Sequence, residues 1–323
     1  MCGIIGILGK SDVAPSIVEG LKRLEYRGYD SAGVATLENG AIDRRRAAGK
    51  LSALTALLEK SPLAGFAGIG HTRWATHGAP TDENAHPHQT SRIALVHNGI
   101  IENFAELRAE LIDLGYEFQS ETDTEVCAQL ITRYMERENL SPKDAFEKAL
   151  SRLRGAFALA AIVSGEDDLL LAARLGSPLA IGRGEGEMFV GSDAFALAPF
   201  TNRITYLEEG DWAVISRAGA EIFNREGKRA NRAEIVSNAS SAMVDKAGHR
   251  HFMAKEIHEQ PEVIGHTLSR YVDPVAKRIA LASKDFDFAS LSRLTISACG
   301  TAYYAGLISK YWFETWAKLP VEI

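Results

Sequence analysis

The chain has 323 residues, 46% of them hydrophobic and 24% charged, which is enough apolar content for about two folded domains and too much for a disordered polypeptide. A formal net charge of −6 offers no general attraction for nucleic acid, and the longest apolar run, Ala156–Val163, falls far short of the ~20 residues of a membrane helix. Three widely spaced cysteines (Cys2, Cys127, Cys299) supply neither a disulfide framework nor a metal site, and no basic segment precedes the first apolar stretch, so a reduced, cytoplasmic setting is expected.

Cys2 stands directly before Gly3–Leu8, which reads as a strand. Apolar residues at i, i+3, i+4 make Val13–Tyr26 an amphipathic helix. Asn39-Gly40 between Val34–Leu37 and Ile42–Arg46 is a hairpin signal, because a type I′ turn needs φ > 0 at both central positions; Arg44-Arg45-Arg46 then reads as a solvated arm. Leu51–Leu58 is a short helix, Phe66–His71 a strand, and Ala79–Gln89 a loop kept irregular by its prolines. Ile93–Val96 is expected to be a strand that stops at His97-Asn98-Gly99, followed by a helix over Ile101–Leu114 with Gly115 beyond its end. Thr122 and Glu125 form a capping box for a helix to Arg137, and Ser141-Pro142 opens another. From Gly155 to about Val236 the text is mainly strands, so helices and strands in separate runs argue for α+β layers around antiparallel sheets. Ser237–Ser241 reads as a linker; a helix over Phe252–Val272 interrupted at Pro261, a strand Leu294–Ala298, a turn Cys299-Gly300-Thr301 and a helix Ala302–Lys318 follow. The expected organisation is 1–240, a linker at 241–248, and 249–323 as the beginning of a doubly wound domain represented by one strand–helix unit.

Four strand-end stretches carry more polar groups than packing requires. Once Met1 is removed, Cys2 combines a thiol with a free α-amine, a nucleophile and its base on one residue. Arg73 suits either a carboxylate clamp or a surface ion pair. Asn98-Gly99 suits an oxyanion pocket or a plain turn, and Asp123 suits a substrate ammonium or a helix dipole. His77, His86 and His97 match no metal spacing.

Taken together, Cys-Gly-Ile-Ile-Gly (2–6), Leu-Glu-Tyr-Arg-Gly-Tyr-Asp-Ser-Ala-Gly (24–33), His-Thr-Arg-Trp-Ala-Thr-His-Gly (71–78), Asn-Ala-His-Pro-His (84–88), His-Asn-Gly-Ile-Ile-Glu-Asn (97–103), Glu-Thr-Asp-Thr-Glu-Val (121–126), Lys-Glu-Ile-His-Glu-Gln-Pro (255–261) and Ala-Cys-Gly-Thr (298–301) resemble the N-terminal-nucleophile (class II) glutamine amidotransferases. More narrowly, they resemble the glucosamine-6-phosphate synthase family; the sister family that makes phosphoribosylamine resembles only the first part. The resemblance implies a four-layer αββα sandwich followed by a sugar isomerase region of doubly wound α/β domains. It implies that Cys2 hydrolyses glutamine, that Asn98 and Gly99 hold the oxyanion, and that Arg73, Thr76 and His77 bind the α-carboxylate side. Asp123 would take the α-ammonium, Arg27 and Gly28 would shape the pocket, and Trp74 would move as the loop closes. It further implies no cofactor or metal, fructose 6-phosphate as ammonia acceptor in the full-length enzyme, and a homodimer. Cys299, Gly300 and Thr301 would be part of a sugar-phosphate cradle, although position 302 is alanine where the family pattern has serine. Competing readings are a non-catalytic sugar-phosphate-sensing or assembly fragment, the glutaminase part of an amidophosphoribosyltransferase, and a self-processing hydrolase.

Overall fold

The computed structural model describes residues 2–237, 248–273, 278–279 and 286–323. It divides into two units, Met1–Gly248 and His249–Ile323. The expected linker at 241–248 lies outside the described residues except for Gly248.

The first unit is built from strands whose residues alternate between two cores. In β1 (Gly3–Leu8), Ile4 and Leu8 face one core while Ile5 and Ile7 face another. The chain continues through α1 (Ala14–Lys22), the hairpin β2 (Ser31–Glu38) and β3 (Ala41–Ala48), α2 (Leu51–Lys60) and β4 (Ala67–Arg73). Asn39 and Gly40 both take positive φ, 51° and 77°, as a I′ turn requires. Then come β5 (His88–Gln89), β6 (Ile93–Ile101), α3 (Phe104–Asp113), α4 (Asp123–Arg137), α5 (Pro142–Arg152), β7 (Gly155–Val163), β8 (Leu170–Leu175), β9 (Ala180–Arg183) and β10 (Met188–Gly191). The short α6 (Ala194–Leu197), β11 (Arg203–Tyr206), β12 (Trp212–Ser216), β13 (Gly219–Phe223) and β14 (Glu234–Val236) complete it.

Two antiparallel sheets result, ordered β14-β11-β9-β10-β1-β4-β2-β3 and β13-β12-β8-β7-β6-β5. Their facing sides share a core containing Ile4, Ile69, Val96, Ala160, Ile162 and Val190. Small residues on β7 and β8, such as Ala158, Ala160 and Ala172, line this layer. The outer face of the first sheet packs on α1, α2 and α6 through Ile5, Ile17, Leu21 and Leu54. The second sheet packs on α3, α4 and α5 through Leu107, Ile131, Phe146 and Leu159. These are the expected four αββα layers. Each fully buried Ile or Leu contributes about 1.5–3 kcal/mol of transfer free energy before chain entropy is counted.

Several local expectations are corrected. β6 does not stop at His97-Asn98-Gly99; it runs to Ile101 because β7 pairs with every one of those residues, and α3 therefore starts only at Phe104. Thr122 caps α4, but the Glu125 carboxylate reaches past it to the backbone N–H groups of Gln119 and Ser120. The arginines of β3 are tied down: Arg44 donates to the Pro87 carbonyl and Arg46 to those of Glu83 and Ala85, pinning the 79–89 loop.

The second unit contains α7 (Phe252–Tyr271), which runs on through Pro261 and is not interrupted there, although a proline inside a helix removes one i→i−4 hydrogen bond and crowds the preceding turn. β15 (Val272–Asp273) pairs with β16 (Arg278–Ile279), and β17 (Leu294–Thr295) leads into α8 (Gly300–Trp312) and β18 (Val321–Glu322). The strand expected over Leu294–Ala298 is thus shorter, and it has a neighbour. β18 lies parallel to it, so the segment is a β-α-β unit and not an isolated strand–helix pair. Gly300 already belongs to α8, which ends at Trp312 before a wider turn over Phe313–Ala317.

Candidate active site

Strand alternation carries the site. Ala67 and Ile69 face the inter-sheet core, so His71 and Arg73 two and four residues on lie along the same side of β4. Ala94 and Val96 set the same direction for Asn98 on β6, and Ile4 sets it for Cys2 ahead of β1. The register Gly3↔Thr72 then places Cys2 beside the end of β4, although the two are seventy residues apart in sequence. A narrow cavity opens there, lined by Cys2, Arg73, Trp74, Thr76, His77, Gly99 and Asp123, and also by His86, His97, Thr122 and Thr124.

The Trp74 backbone N–H donates to Cys2 Sγ at 3.1 Å. Burial pushes the Cys2 thiol up; the Trp74 N–H, the chain's N-terminal charge and Arg73 pull it back. The Asn98 Nδ2 group donates to the Cys2 carbonyl at 3.3 Å, and its Oδ1 lies 2.9 Å from His71 Nε2. Gly99 takes φ 124°, and a Cβ there would lie 2.0 Å from the Ala156 carbonyl oxygen, so only glycine lets β6 turn its backbone at this point.

Arg73 is buried, at 3% exposure, and its guanidinium donates to the carbonyls of His77, Gly78 and Ala79. Those carbonyls hold the loop but do not neutralise the charge, and among the described residues no carboxylate forms an ion pair with it. Opposite, Asp123 at the start of α4 accepts from Ile101 N–H at 2.8 Å through Oδ2, with Oδ1 3.8 Å from His97 Nδ1. A cation and a carboxylate thus line one small cavity beside the thiol.

The other expected residues lie around this centre. Arg27 pairs with Asp193 at 2.6 Å and reaches the Cys2 carbonyl at 3.5 Å. Thr76 and His77 share a long contact of 3.4 Å, and the His77 ring meets Phe104 edge-on. Cys299, Gly300 and Thr301 lie in the second unit, exposed at the N-terminus of α8, where Cys299 gives no side-chain cap.

Three further supports surround the site, with partners that the sequence alone did not show. Asp30 Oδ2 accepts from Ala75 N–H at 2.6 Å and anchors the loop carrying Trp74. Glu121 and Asn84 bracket the same loop: Asn84 Nδ2 donates to the Ala79 carbonyl and to Glu121, both at 3.0 Å. Behind the cavity sits a group of buried imidazoles. His86 and His97 converge on Thr124 Oγ1 at 2.7 and 3.0 Å, His88 meets Thr122 Oγ1 at 3.0 Å, and His71 stacks on His86. Desolvation holds all four below the usual histidine range, His71 at about 3. The period-2 continuation of β4 and β6 was the signal for His71. Among the described residues no group of three or more His, Cys, Asp or Glu is placed to hold a metal ion.

A cysteine at position 2, directly ahead of β1 of an αββα sandwich, fits an N-terminal-nucleophile glutamine amidotransferase domain, and the family model described as "Glutamine amidotransferase domain" matches residues 71–199. The chain is 61% identical over its whole length to the glutamine--fructose-6-phosphate aminotransferase [isomerizing] of Mesorhizobium japonicum and 60% identical to that of Bradyrhizobium diazoefficiens, covering 53% of each. Over its whole length the chain is similar to these aminotransferases, and it spans about half the length of the curated relatives it matches. Its structure is similar to that of the glutamine phosphoribosylpyrophosphate amidotransferase of B. subtilis, with TM-score 0.60 and 28% identity over 69% of this chain and 49% of that one. No described helix is long and apolar enough to cross a membrane.

Proposed function

We propose that this chain releases ammonia from glutamine through Cys2 and that, in the whole protein, the ammonia passes to fructose 6-phosphate to form an aminosugar phosphate. The observation that carries the reading is the cavity that Cys2, Arg73, Gly99 and Asp123 line together, with the Asn98 amide bonded to the Cys2 carbonyl beside it. Free glutamine differs from a peptide-bound residue by its two end charges, and Asp123 and Arg73 are of the signs that would read them.

After Met1 is removed, the α-amine of Cys2 takes the thiol proton and the sulfur attacks the side-chain amide carbon. The oxyanion that forms is held by Asn98 Nδ2–H and the Gly99 N–H; each such donor is worth about 3–4 kcal/mol in comparable sites. The carbon–nitrogen bond breaks as the ammonium of Cys2 returns its proton to the leaving nitrogen, giving ammonia and a glutamyl thioester. Water, deprotonated by the same amine, then hydrolyses the thioester to glutamate and restores the thiol. Arg27, tied to Asp193 and reaching the Cys2 carbonyl, steadies the nucleophile's backbone.

The aminosugar reading is favoured over phosphoribosylamine synthesis because likeness to the aminotransferases covers all of this chain, whereas likeness to the phosphoribosylpyrophosphate enzyme covers 69% of it. Glutamate and ammonia release by the purified protein, compared with Cys2→Ala, tests the first half. Equal release by both would remove it, and with it a catalytic role for this half of the chain. Glutamine-dependent aminosugar phosphate formation by the whole protein tests the second half, with phosphoribosyl pyrophosphate as the control acceptor.

A further inference from the structure

Taking Asn98 as the oxyanion donor proposed above, we propose that His71 is its positioning residue, and that the His71 Nε2–H fixes the Asn98 carboxamide with nitrogen, and not oxygen, toward the reacting carbonyl. The two ends of a carboxamide are nearly the same size, so rotating it by half a turn exchanges a donor for an acceptor at almost no steric cost. Only the partners decide which end faces where. Here Asn98 Oδ1 lies 2.9 Å from His71 Nε2, and Nδ2 lies 3.3 Å from the Cys2 carbonyl. One assignment satisfies both contacts: Nε2 carries the imidazole proton and donates to Oδ1, and one hydrogen of Nδ2 goes to the Cys2 carbonyl, leaving the second for the substrate. Flipped, the amide would set Oδ1 against the Cys2 carbonyl oxygen and later against a developing negative charge.

His71 is held in place for this contact, and its Nδ1 has no hydrogen-bond partner among the described residues, so Nε2 is the ring nitrogen with an acceptor for the proton. It is fully buried on the inter-sheet side of β4, so water offers Asn98 no substitute donor. Its ring stacks on that of His86 with centroids 4.3 Å apart, which restrains its rotation. Asn98 itself sits within β6 and pairs in register with Ala158 of β7, so its backbone is fixed and the side-chain amide is the freedom left to control.

The test uses the processed protein in glutamate-release kinetics, with thermal midpoints measured alongside. Glutamine carries its amide nitrogen about where histidine carries Nε2, whereas asparagine reaches only the Nδ1 position. His71→Asn should lower kcat about 10–100-fold with KM changed less than about threefold, the signature of an interaction made in the transition state. His71→Gln should hold kcat within about threefold. In an Asn98→Ala background, His71→Asn should cause no further loss of kcat. The proposal is overturned if His71→Asn keeps full kcat, if its loss is the same with and without Asn98, or if a folded His71→Gln is as impaired as His71→Asn. Should His71→Asn not fold, a folded His71→Gln with a tenfold lower kcat also overturns it. An Asn98→Ala protein with unchanged kcat removes the oxyanion reading itself, a separate failure.

Discussion

Gly28 is the seat of the Trp74 ring: a Cβ at position 28 would lie 2.6 Å from Trp74 Cζ3. Gly28 follows a short helical turn at Glu25–Arg27 and takes φ 78° and ψ 142°, a conformation only glycine adopts without strain. The ring seated there is 54% exposed, yet its backbone N–H holds Cys2 Sγ. Substitution at 28 therefore reaches the nucleophile through the tryptophan. Gly28→Ala should cost about 1–3 kcal/mol of stability from the backbone alone. It should also lower kcat/KM for glutamine about tenfold or more as Trp74 is displaced, one decade corresponding to about 1.4 kcal/mol. Urea unfolding beside steady-state kinetics reads both, and an unstrained, fully active Gly28→Ala protein would show that the seat is not needed.

Removal of Met1 should be required for activity, because the amine that serves Cys2 is then free. A sample retaining Met1, or any N-terminal extension, should release no glutamate above the Cys2→Ala background. Intact mass combined with the assay decides this, and full turnover in a Met1-retaining fraction would contradict the shared amine–thiol mechanism.

Arg73 and Asn98 should differ in kinetic signature. Arg73→Ala removes the buried cation and also frees the carbonyls of residues 77–79, so it should mainly raise KM, by the equivalent of about 2–5 kcal/mol. Asn98→Ala should leave KM nearly unchanged and lower kcat about 10²-fold or more. Arg73→Lys should recover little, since one lysine nitrogen cannot stand where both Nη1 and Nη2 of the guanidinium stand. Identical signatures for Arg73→Ala and Asn98→Ala would contradict the division of roles.

The buried imidazoles make the first unit acid-labile. His71, His86, His88 and His97 all titrate below their usual value in the folded chain, so the unfolded chain binds more protons once the pH falls through about 6.5. Stability is then lost on acidification, by up to about 1.4 kcal/mol per pH unit for each imidazole, and for His71 the loss continues to about pH 3. Asp123, 3.8 Å from His97, partly opposes the effect at that residue. The unfolding free energy should therefore drop steeply between pH 7 and pH 5, and a folded His88→Gln variant should show a shallower slope. A flat profile over that range would mean that these rings ionise freely in the fold.

Local sequence determined much of this protein. Period-2 alternation gave β1 its two faces, Asn39-Gly40 its turn, and Thr122 and Ser141 their caps, because each depends on neighbours within a few residues. The residues now lining the cavity were legible as polar groups at strand ends, though not their arrangement. Tertiary structure decided the rest. Whether His97-Asn98-Gly99 ends a strand depends on whether another strand takes its backbone groups, and β7 does. Where the Glu125 carboxylate goes depends on how the 119–120 backbone folds back over α4. The Arg73 guanidinium turns inward because its own loop offers three carbonyls in a buried place. The convergence of Cys2 with Trp74, and of His71 with Asn98, requires the β1–β4 register in one sheet and the facing of that sheet by β6 in the other. Such meetings of distant segments follow from how two sheets stack, and no run of neighbouring residues specifies them.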